Sequence, residues 1–278
     1  MKLRRFPRFL FLILLIISTT VPACKPKSAG SAIPSSDGIT NRYAVLMEKD
    51  QYDDVGMSNL RVDYVSMGLI EDLLLEAGWT SDNIHAVPEF TQDDIVQQLN
   101  WLEEQTDGDD LVFFYVASHG RYLSDVINWS QVVPPEWEDI RSEKIVLVDS
   151  CEAGKFIQSL ADDPGEQIAI GAVQEYEYGW CGLEEEGLPI IGLVYTHYFS
   201  QAFQENGSDS NDDGHTSIQE AALWAETWQR IYMHEVVFEV PEFADDYRQL
   251  GIDPENNPDF PQTVLFDTAE EDIFLDHE

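Results

Sequence analysis

Two apolar stretches decide the fold, and each runs directly into a short polar motif. The first is LVFFYVASHG, residues 111–120, and the second is IVLVDSCEAG, residues 145–154. Seven apolar residues open the first stretch and four open the second, too few for a helix buried on all sides. Because both are rich in β-branched or aromatic side chains, we predict two central β-strands that lead into Ser118 and Asp149.

Further segments of the same kind alternate with helical patterns. Short apolar runs at 43–47 (YAVLM) and 168–173 (IAIGAV) are also typical of strands, and a brief strand is predicted at 84–87 (IHAV), before Pro88. Apolar residues recur at spacings of three and four between Leu60 and Ala77, and a second helix is predicted at 92–105 behind the cap residue Thr91. Continuous apolar strands separated by amphipathic helices favour a mostly parallel sheet with helices on both faces, which is the α/β class.

The carboxyl ends of neighbouring parallel strands meet at one edge of a sheet, and this edge is where such folds bind ligands. We therefore expect His119 and Cys151, which follow the two central strands, to lie close together. Cysteine is the best nucleophile among side chains, and a nearby histidine can take its proton. Gly120 lacks a Cβ, so its backbone N–H can approach a substrate carbonyl and form an oxyanion site with the N–H of Cys151.

These motifs carry a family resemblance. An apolar strand ending in Ser-His-Gly, followed by one ending in Asp-Ser-Cys-x-x-Gly, resembles the caspase-like superfamily of cysteine peptidases. The bacterial legumain-like and caspase-like branches look closer than true caspases, whose Gln-Ala-Cys signature is absent. The resemblance covers about residues 43–235, including 192–198 (GLVYTHY). It implies a cysteine endopeptidase with Cys151 as nucleophile, His119 as general acid and base, and the Gly120 N–H in the oxyanion site.

The spacing between the two motifs departs from the family pattern. Only 32 positions separate His119 from Cys151, whereas about 50 are typical of caspases. We therefore expect a trimmed loop between the two strands, with substrate contacts that differ from those of caspases.

The same resemblance implies two residues of a substrate pocket. Legumain-like enzymes use an arginine after the first strand and acidic residues near the cysteine, and Arg61 and Asp149 stand at similar places. Arg61 is equally well interpreted as a surface charge at the start of a helix. Glu175 and Glu177, which follow the strand at 168–173, offer a different pocket for a basic side chain.

Two other functions are compatible with the sequence. A transamidase uses the same Cys-His pair but passes the acyl group to an amine instead of water, and no residue pattern separates these reactions. The alternative outside the enzymes is a non-catalytic surface module that binds calcium or a partner through its acidic face. The intact pair of His119 and Cys151 argues against such a module. Cys181 has no His-Gly context, so we interpret it as a structural or incidental thiol.

A twelve-residue acidic segment, DSNDDGHTSIQE at 209–220, matches the EF-hand calcium loop. Oxygen donors fall at positions 1, 3, 5, 9 and 12, glycine stands at position 6, and position 7 offers its backbone carbonyl. The predicted Ca²⁺ ligands are Asp209, Asn211, Asp213, His215, Ser217 and Glu220. Calcium would have a structural role before the next helix, and the alternative interpretation is an ordinary acidic surface turn.

The N-terminus has the outline of an export signal. Four basic residues precede a nine-residue apolar run at 9–17, and Val21-Pro22-Ala23-Cys24 follows. This ending resembles the lipobox of bacterial lipoproteins, which implies that Cys24 is lipidated and anchors an exported protein to a membrane. Ordinary secretion and an uncleaved anchor are the alternatives. The predicted organisation is a signal peptide (1–23), a lipidated cysteine with a flexible tether (24–42), a peptidase domain (43–235) and a C-terminal extension (236–278).

The charge of the chain excludes some partners. Its 53 Asp and Glu stand against 15 Lys and Arg, a net charge of -38 at pH 7, so we expect cations and no nucleic acid as ligands. With 44% hydrophobic residues the chain can still bury a sizeable core. The acidic excess suggests a saline habitat. The extension is predicted to form an edge strand and a packed extended segment, and to end in an exposed acidic tail at 270–278.

Overall fold

The computed structural model describes residues 36–163, 165–204, 208–269 and 271–276. The predicted signal peptide, Cys24 and most of the tether lie outside these residues. No helix within these ranges is long and apolar enough to cross a membrane.

A six-stranded sheet forms the centre of the molecule. Its strands are β1 (Arg42–Glu48), β2 (Ile84–Pro88), β3 (Leu111–Ala117), β4 (Glu143–Asp149), β5 (Gln167–Gly171) and, after the two short paired strands β6 (Cys181–Gly182) and β7 (Gly192–Leu193), β8 (Val264–Asp267). The order in the sheet is β2-β1-β3-β4-β5-β8. All neighbours are parallel except β5 and β8. The predicted α/β class with a mostly parallel sheet is therefore confirmed.

Helices cover both faces of this sheet. They are α1 (Val65–Glu76), α2 (Gln92–Gln105), α3 (Trp129–Trp137), α4 (Ala153–Gln158), α5 (Val194–Ala202), α6 (Ile218–Tyr232) and α7 (Pro241–Gln249). Helices α1, α5 and α6 pack with Leu46 and Tyr115 on one face, and α2, α3 and α4 pack with Met47 and Val116 on the other. Because successive residues of a strand point to opposite faces, burial of both faces requires the continuous apolar runs seen in the sequence.

The second predicted helix is confirmed at its expected bounds. Helix α2 begins behind Thr91, whose hydroxyl accepts the N–H of Asp94 at 3.3 Å, while the Asp94 carboxylate accepts the N–H of Thr91 at 2.8 Å. This reciprocal cap satisfies two backbone donors that the first helical turn leaves free.

The first helix begins later than its apolar pattern predicts. The pattern starts at Leu60, but α1 starts at Val65, because Arg61, Asp63 and Tyr64 have positive φ angles. The carboxylate of Asp50 accepts the N–H of Val62 at 3.1 Å and that of Asp63 at 3.3 Å. These bonds hold the segment as a tight turn instead of a helical one.

The C-terminal extension is more helical than expected. The segment VVFEV at 236–240 lies in a π-helical turn at 233–237 and in the approach to α7, which Pro241 opens at a position suited to proline. The edge strand predicted for the extension forms at β8, which pairs antiparallel to β5. A third apolar cluster joins α7 to the rest of the domain through Tyr247, Phe260 and Tyr232.

The tail is also less exposed than its charge suggests. Ile273 and Leu275 are buried in the same cluster as α1 and α6, and the carbonyl of Leu275 accepts the indole N–H of Trp79 at 2.9 Å. Two apolar side chains among acidic ones are therefore enough to fix the described part of the tail on the domain.

Candidate active site

A cleft of about 680 Å³ lies beyond the carboxyl ends of β3 and β4. Its lining residues are Gly56, Met57, Ser58, His119, Gly120, Arg121, Ser124, Asp125, Cys151, Glu152, Lys155 and Tyr178. The two polar motifs that follow the central strands thus meet in one cavity. His119, Gly120 and Cys151 all face it, as the topology of a parallel sheet requires.

His119 is fixed at both its backbone and its ring. Its backbone N–H donates to the phenol oxygen of Tyr52 at 2.9 Å, and its Nε2 lies 2.9 Å from the carbonyl oxygen of Ser58. A carbonyl oxygen can only accept a hydrogen bond, so Nε2 carries the hydrogen and a neutral ring has its lone pair at Nδ1. The loop after β1 therefore selects the tautomer in which Nδ1 can act as a base.

The loop that carries Tyr52 and Ser58 is held by one carboxylate. Glu89, directly after β2, accepts the N–H of Asp50 and that of Gln51, each at 2.9 Å. It also accepts the phenol of Tyr64 at 3.0 Å and the ammonium of Lys49 at 3.2 Å. Burial acts to raise the pKa of Glu89, but these hydrogen bonds outweigh it and hold the pKa below its usual range.

Gly120 packs directly against the nucleophile's turn. A Cβ on Gly120 would overlap the backbone carbonyl oxygen of Cys151. The same carbonyl accepts the hydroxyl of Ser150 at 3.0 Å. Only glycine allows the strand ends of β3 and β4 to approach this closely.

Cys151 lies in a sharp turn between β4 and α4. Glu152 has a φ angle of 58°, a left-handed conformation that non-glycine residues rarely adopt, and its N–H donates to the carbonyl of Glu177 at 2.8 Å. Burial raises the pKa of the Cys151 thiol to about 11, although the backbone N–H of Gly179 acts to lower it. The thiol is therefore protonated at neutral pH and needs a base before it can attack.

The residues expected to form a substrate pocket do not line this cleft. Arg61 is 63% exposed and pairs with Glu185 at 3.0 Å. Glu175 lies in the half-buried loop after β5. Asp149 is buried, and its Oδ2 accepts both the N–H of Thr196 at 2.9 Å and its hydroxyl at 2.7 Å. Burial raises the pKa of Asp149 to about 6, against the lowering effect of these two bonds.

Sequence reasoning missed the residues that hold the histidine. Ser58 acts through its backbone carbonyl, which leaves no mark in the residue type, and Tyr52 resembles any buried aromatic residue of a loop. Only the sheet topology could have indicated them, because Tyr52 and Ser58 follow β1 and so lie at the same edge of the sheet as His119.

The predicted calcium loop folds around its own side chains. Gly214, at position 6, has a φ angle of 96°, as the sharp turn requires. The N–H of Asp213 donates to Oδ1 of Asp209 at 3.2 Å and to Oδ1 of Asn211 at 2.9 Å, so these two oxygens converge. The side chain of His215 lies 3.6 Å from the carboxylate of Asp276.

The carboxylate of the last predicted ligand, Glu220, binds backbone N–H groups of the loop itself. Glu220 accepts the N–H of Ser210 at 2.8 Å and that of Ser217 at 3.0 Å, and Ser217 caps α6. Among the described His, Cys, Asp and Glu side chains, the one trio that gathers closely enough to hold a metal ion is Asp37, Asp107 and Asp109, on another loop.

Comparison with known proteins assigns this chain to a family. A family model of the caspase domain matches residues 41–222, more than half of the chain. The chain therefore belongs to the caspase domain family, whose members include cysteine peptidases. A comparison with curated protein sequences finds no match.

A solved structure agrees with this assignment at the level of the fold. The chain is similar to caspase-1 from Spodoptera frugiperda, with a TM-score of 0.54 and 10% sequence identity. The match covers 86% of this chain and 91% of that one. At this identity the likeness concerns the fold alone.

Proposed function

We propose that the protein is a cysteine endopeptidase with Cys151 as nucleophile and His119 as general acid and base. One observation carries this proposal: His119, Gly120 and Cys151 border a single cleft, and the Ser58 carbonyl binds Nε2 of His119. A base at Nδ1 is what a thiol with a pKa of about 11 needs in order to react.

The reaction follows from these groups. His119 takes the thiol proton at Nδ1 while the sulfur of Cys151 bonds to the peptide carbonyl carbon. The carbonyl oxygen becomes an oxyanion, which the backbone N–H groups of Gly120 and Cys151 stabilise. As the C–N bond breaks, the proton passes from Nδ1 to the leaving amine. Water, deprotonated by the same nitrogen, then attacks the thioester and releases the carboxylic acid and the thiol.

Fluorogenic peptides test this proposal with the full chain. Cleavage should fall by about 1,000-fold or more in Cys151→Ala and by about 100-fold or more in His119→Ala. Cys181→Ala is the matched control and should cleave normally. Iodoacetamide should label Cys151 before Cys181, as read by peptide mass spectrometry. If the wild type shows no cleavage and iodoacetamide does not label Cys151 before Cys181, the peptidase proposal is wrong.

Product analysis in the same assay addresses the transamidase alternative. A hydrolase should give mainly the free acid when an amine is added, whereas a transamidase should give mainly the amide. If the amide is the main product, the proposed reaction is acyl transfer from the same thioester to an amine, not hydrolysis.

We further propose that the enzyme is exported and anchored to a membrane through a lipid on Cys24, and that the loop at 209–220 binds Ca²⁺. The lipobox-like segment 21–24 supports the first proposal, and the converging oxygens of Asp209 and Asn211 support the second. Expression with a labelled fatty acid tests the anchor. We expect the wild type to carry the label and Cys24→Ala to remain unlabelled. An unlabelled wild type would contradict the lipid anchor.

A further inference from the structure

A short segment between β5 and β6 packs against the turn that carries the nucleophile. We name residues 177–179 the thiol-facing segment. The carbonyl of Glu177 accepts the N–H of Glu152 at 2.8 Å, which ties the segment to the residue after Cys151. The backbone N–H of Gly179 faces the Cys151 thiol and acts to lower its pKa. This segment therefore supplies a hydrogen-bond donor to the sulfur.

The direction of that donor depends on a single peptide group. Burial raises the pKa of the Cys151 thiol to about 11, so a donor that favours the charged sulfur opposes a large unfavourable effect. The Gly179 N–H belongs to the same peptide group as the Tyr178 carbonyl, and a peptide group is planar. A group that binds the Tyr178 carbonyl therefore also fixes the direction of the Gly179 N–H.

A phenol from α7 binds this carbonyl. The hydroxyl of Tyr247 donates to the carbonyl oxygen of Tyr178 at 3.3 Å and to that of Gly179 at 3.0 Å, so the two peptide groups on either side of Gly179 share its hydrogen. A hydrogen bond to a carbonyl polarises the peptide group and strengthens its N–H as a donor. Burial raises the pKa of Tyr247 well above its usual range, and a charge on Cys151 adds to this rise, so the phenol keeps its hydrogen.

Aromatic packing holds Tyr247 in place. The residue is 4% exposed, and its ring centroid lies 5.2 Å from that of Phe238 and 5.4 Å from that of Phe260. The ring of Trp180, which directly follows the thiol-facing segment, lies 6.1 Å from Tyr247 and 4.8 Å from Phe243. Because close-packed rings leave the side chain little freedom, the hydroxyl stays at one position.

The same extension binds the other end of the thiol-facing segment. Oε2 of Glu177 accepts the N–H of Gln262 at 2.8 Å and that of Gln174 at 3.2 Å. Both Tyr247 and Gln262 lie beyond residue 222, where the caspase-domain match ends. Support for the nucleophile thus comes from a part of the chain outside that match.

We propose that Tyr247 is a positioning residue for Cys151, through which the C-terminal extension takes part in the active site. The inference rests on the proposed peptidase function. Tyr247 acts through the peptide group between Tyr178 and Gly179, whose N–H faces the sulfur. As the thiol passes its proton to His119, negative charge develops on the sulfur, and the Gly179 N–H stabilises that charge.

Alkylation of Cys151 in the full-length Tyr247→Phe chain tests this role, because the variant loses the hydroxyl and keeps the ring. Below its pKa a thiol reacts in proportion to its thiolate fraction, so a higher pKa slows the reaction by the same factor at every pH from about 7 to 9. We expect iodoacetamide to alkylate Cys151 about 3- to 10-fold more slowly than in the wild type, and kcat to fall by a similar factor while KM changes less. The charged or titratable groups around the sulfur are the same in both chains: His119, Arg121, Asp125, Asp149, Glu152 and Lys155.

Tyr232→Phe is the matched control. Tyr232 lies in the same apolar cluster as Tyr247, but its hydroxyl accepts the N–H of Ile190 at 3.4 Å instead of binding the thiol-facing segment. Both variants should lose some thermal stability, and Tyr232→Phe should keep the wild-type alkylation rate and kcat. Hydrogen exchange at 178–180 should accelerate only in Tyr247→Phe.

The outcomes separate this role from the peptidase function. Equal alkylation rates in Tyr247→Phe and the wild type would overturn the positioning role and leave the peptidase proposal intact. An equal slowing in Tyr247→Phe and Tyr232→Phe would also overturn it, because a general loosening of the cluster would then explain both. Slower alkylation in Tyr247→Phe alone, beside a wild type that cleaves no peptide, would retain the positioning role and reject the peptidase.

Discussion

Gly120 lies so close to the Cys151 carbonyl that adding a single methyl group at this position should disturb the site. Gly120→Ala introduces a Cβ that overlaps this oxygen, so the ends of β3 and β4 must separate. We expect a loss of about 1–3 kcal/mol in the free energy of unfolding and a lower kcat. Gly108→Ala is the matched control, because its Cβ would meet nothing within 4 Å. Denaturant unfolding and peptide cleavage check both variants, and equal behaviour of the two would refute the close packing.

Glu48 should make stability depend on pH. Its pKa lies at about 7 in the folded state against an ordinary 4.5, so the folded protein keeps a proton that the unfolded chain has released. Stability from this group is complete below about pH 4.5 and is lost as the pH rises through 7, by about 3 kcal/mol. Glu48→Gln removes this loss and keeps an acceptor for the Met67 N–H.

Thermal unfolding at pH 4 and pH 8 measures this effect. Glu48→Gln should be clearly more stable than the wild type at pH 8 and nearly equal to it at pH 4. Asp50, Asp149 and Glu89, which act on Glu48, are present in both proteins, so the difference isolates Glu48. An exposed change on α2, Glu104→Gln, should show no difference at either pH. The same stability gain at both pH values would rule out an elevated pKa.

At the scale of elements, Glu89 connects β2 to the loop that orients His119. Glu89→Gln weakens the contact with Lys49 and loosens the N–H bonds of Asp50 and Gln51. We expect kcat to fall more than KM rises, with about 1 kcal/mol of lost stability because the pair is partly exposed. Hydrogen exchange at 50–58 should accelerate.

The matched control for Glu89→Gln is again Glu104→Gln, which should leave both kcat and hydrogen exchange unchanged. An unchanged kcat in Glu89→Gln would show that the loop holds its position without this carboxylate.

The loop before α6 allows a sharp calcium test. Ca²⁺ should raise the Tm of the wild type, and Asp209→Asn, which removes a charge at position 1, should reduce that rise. Glu220 is a poorer choice for this test, because it also caps α6 and its loss destabilises the calcium-free protein. Asp212→Asn changes a non-ligand position whose φ angle of 60° asparagine tolerates, so it should respond like the wild type. An undiminished response of Asp209→Asn would exclude the loop.

The sequence patterns predicted elements whose signals are local. The central strands and α2 are defined by their own apolar residues and caps, so their positions were predictable. The start of α1 was not, because the distant Asp50 carboxylate holds Val62 and Asp63 in a turn. The helical extension was missed because VVFEV contains β-branched residues that favour strands, and tertiary packing overrode that preference.

The residues of the candidate site also differ in how far the sequence predicts them. His119, Gly120 and Cys151 were predictable because their residue types carry the chemistry and their strands carry the topology. The Ser58 carbonyl was not, because its contact with His119 depends on backbone position and leaves no mark in the residue type.

At the scale of the whole molecule, the net charge of -38 should make stability depend on salt. With 53 acidic and 15 basic residues, most carboxylates have no cationic partner, and their mutual repulsion opposes folding. We expect the Tm to rise from low to molar NaCl as this repulsion is screened. Sorbitol at equal osmolality is the control and should raise the Tm less. A Tm that is insensitive to salt would remove the hypothesis of a saline habitat.

The strand β8 has a consequence for self-association. It lies outside the caspase-domain match, which ends at residue 222, yet it occupies the ladder of β5 that would otherwise be an open edge. An unpaired edge strand is a template on which other chains can polymerise. β8 is then the edge of the sheet itself, but it has only four residues, and a short edge strand limits pairing with other chains. A proteolytic nick between α7 and β8 would let β8 leave and would expose the five-residue β5 as a new edge.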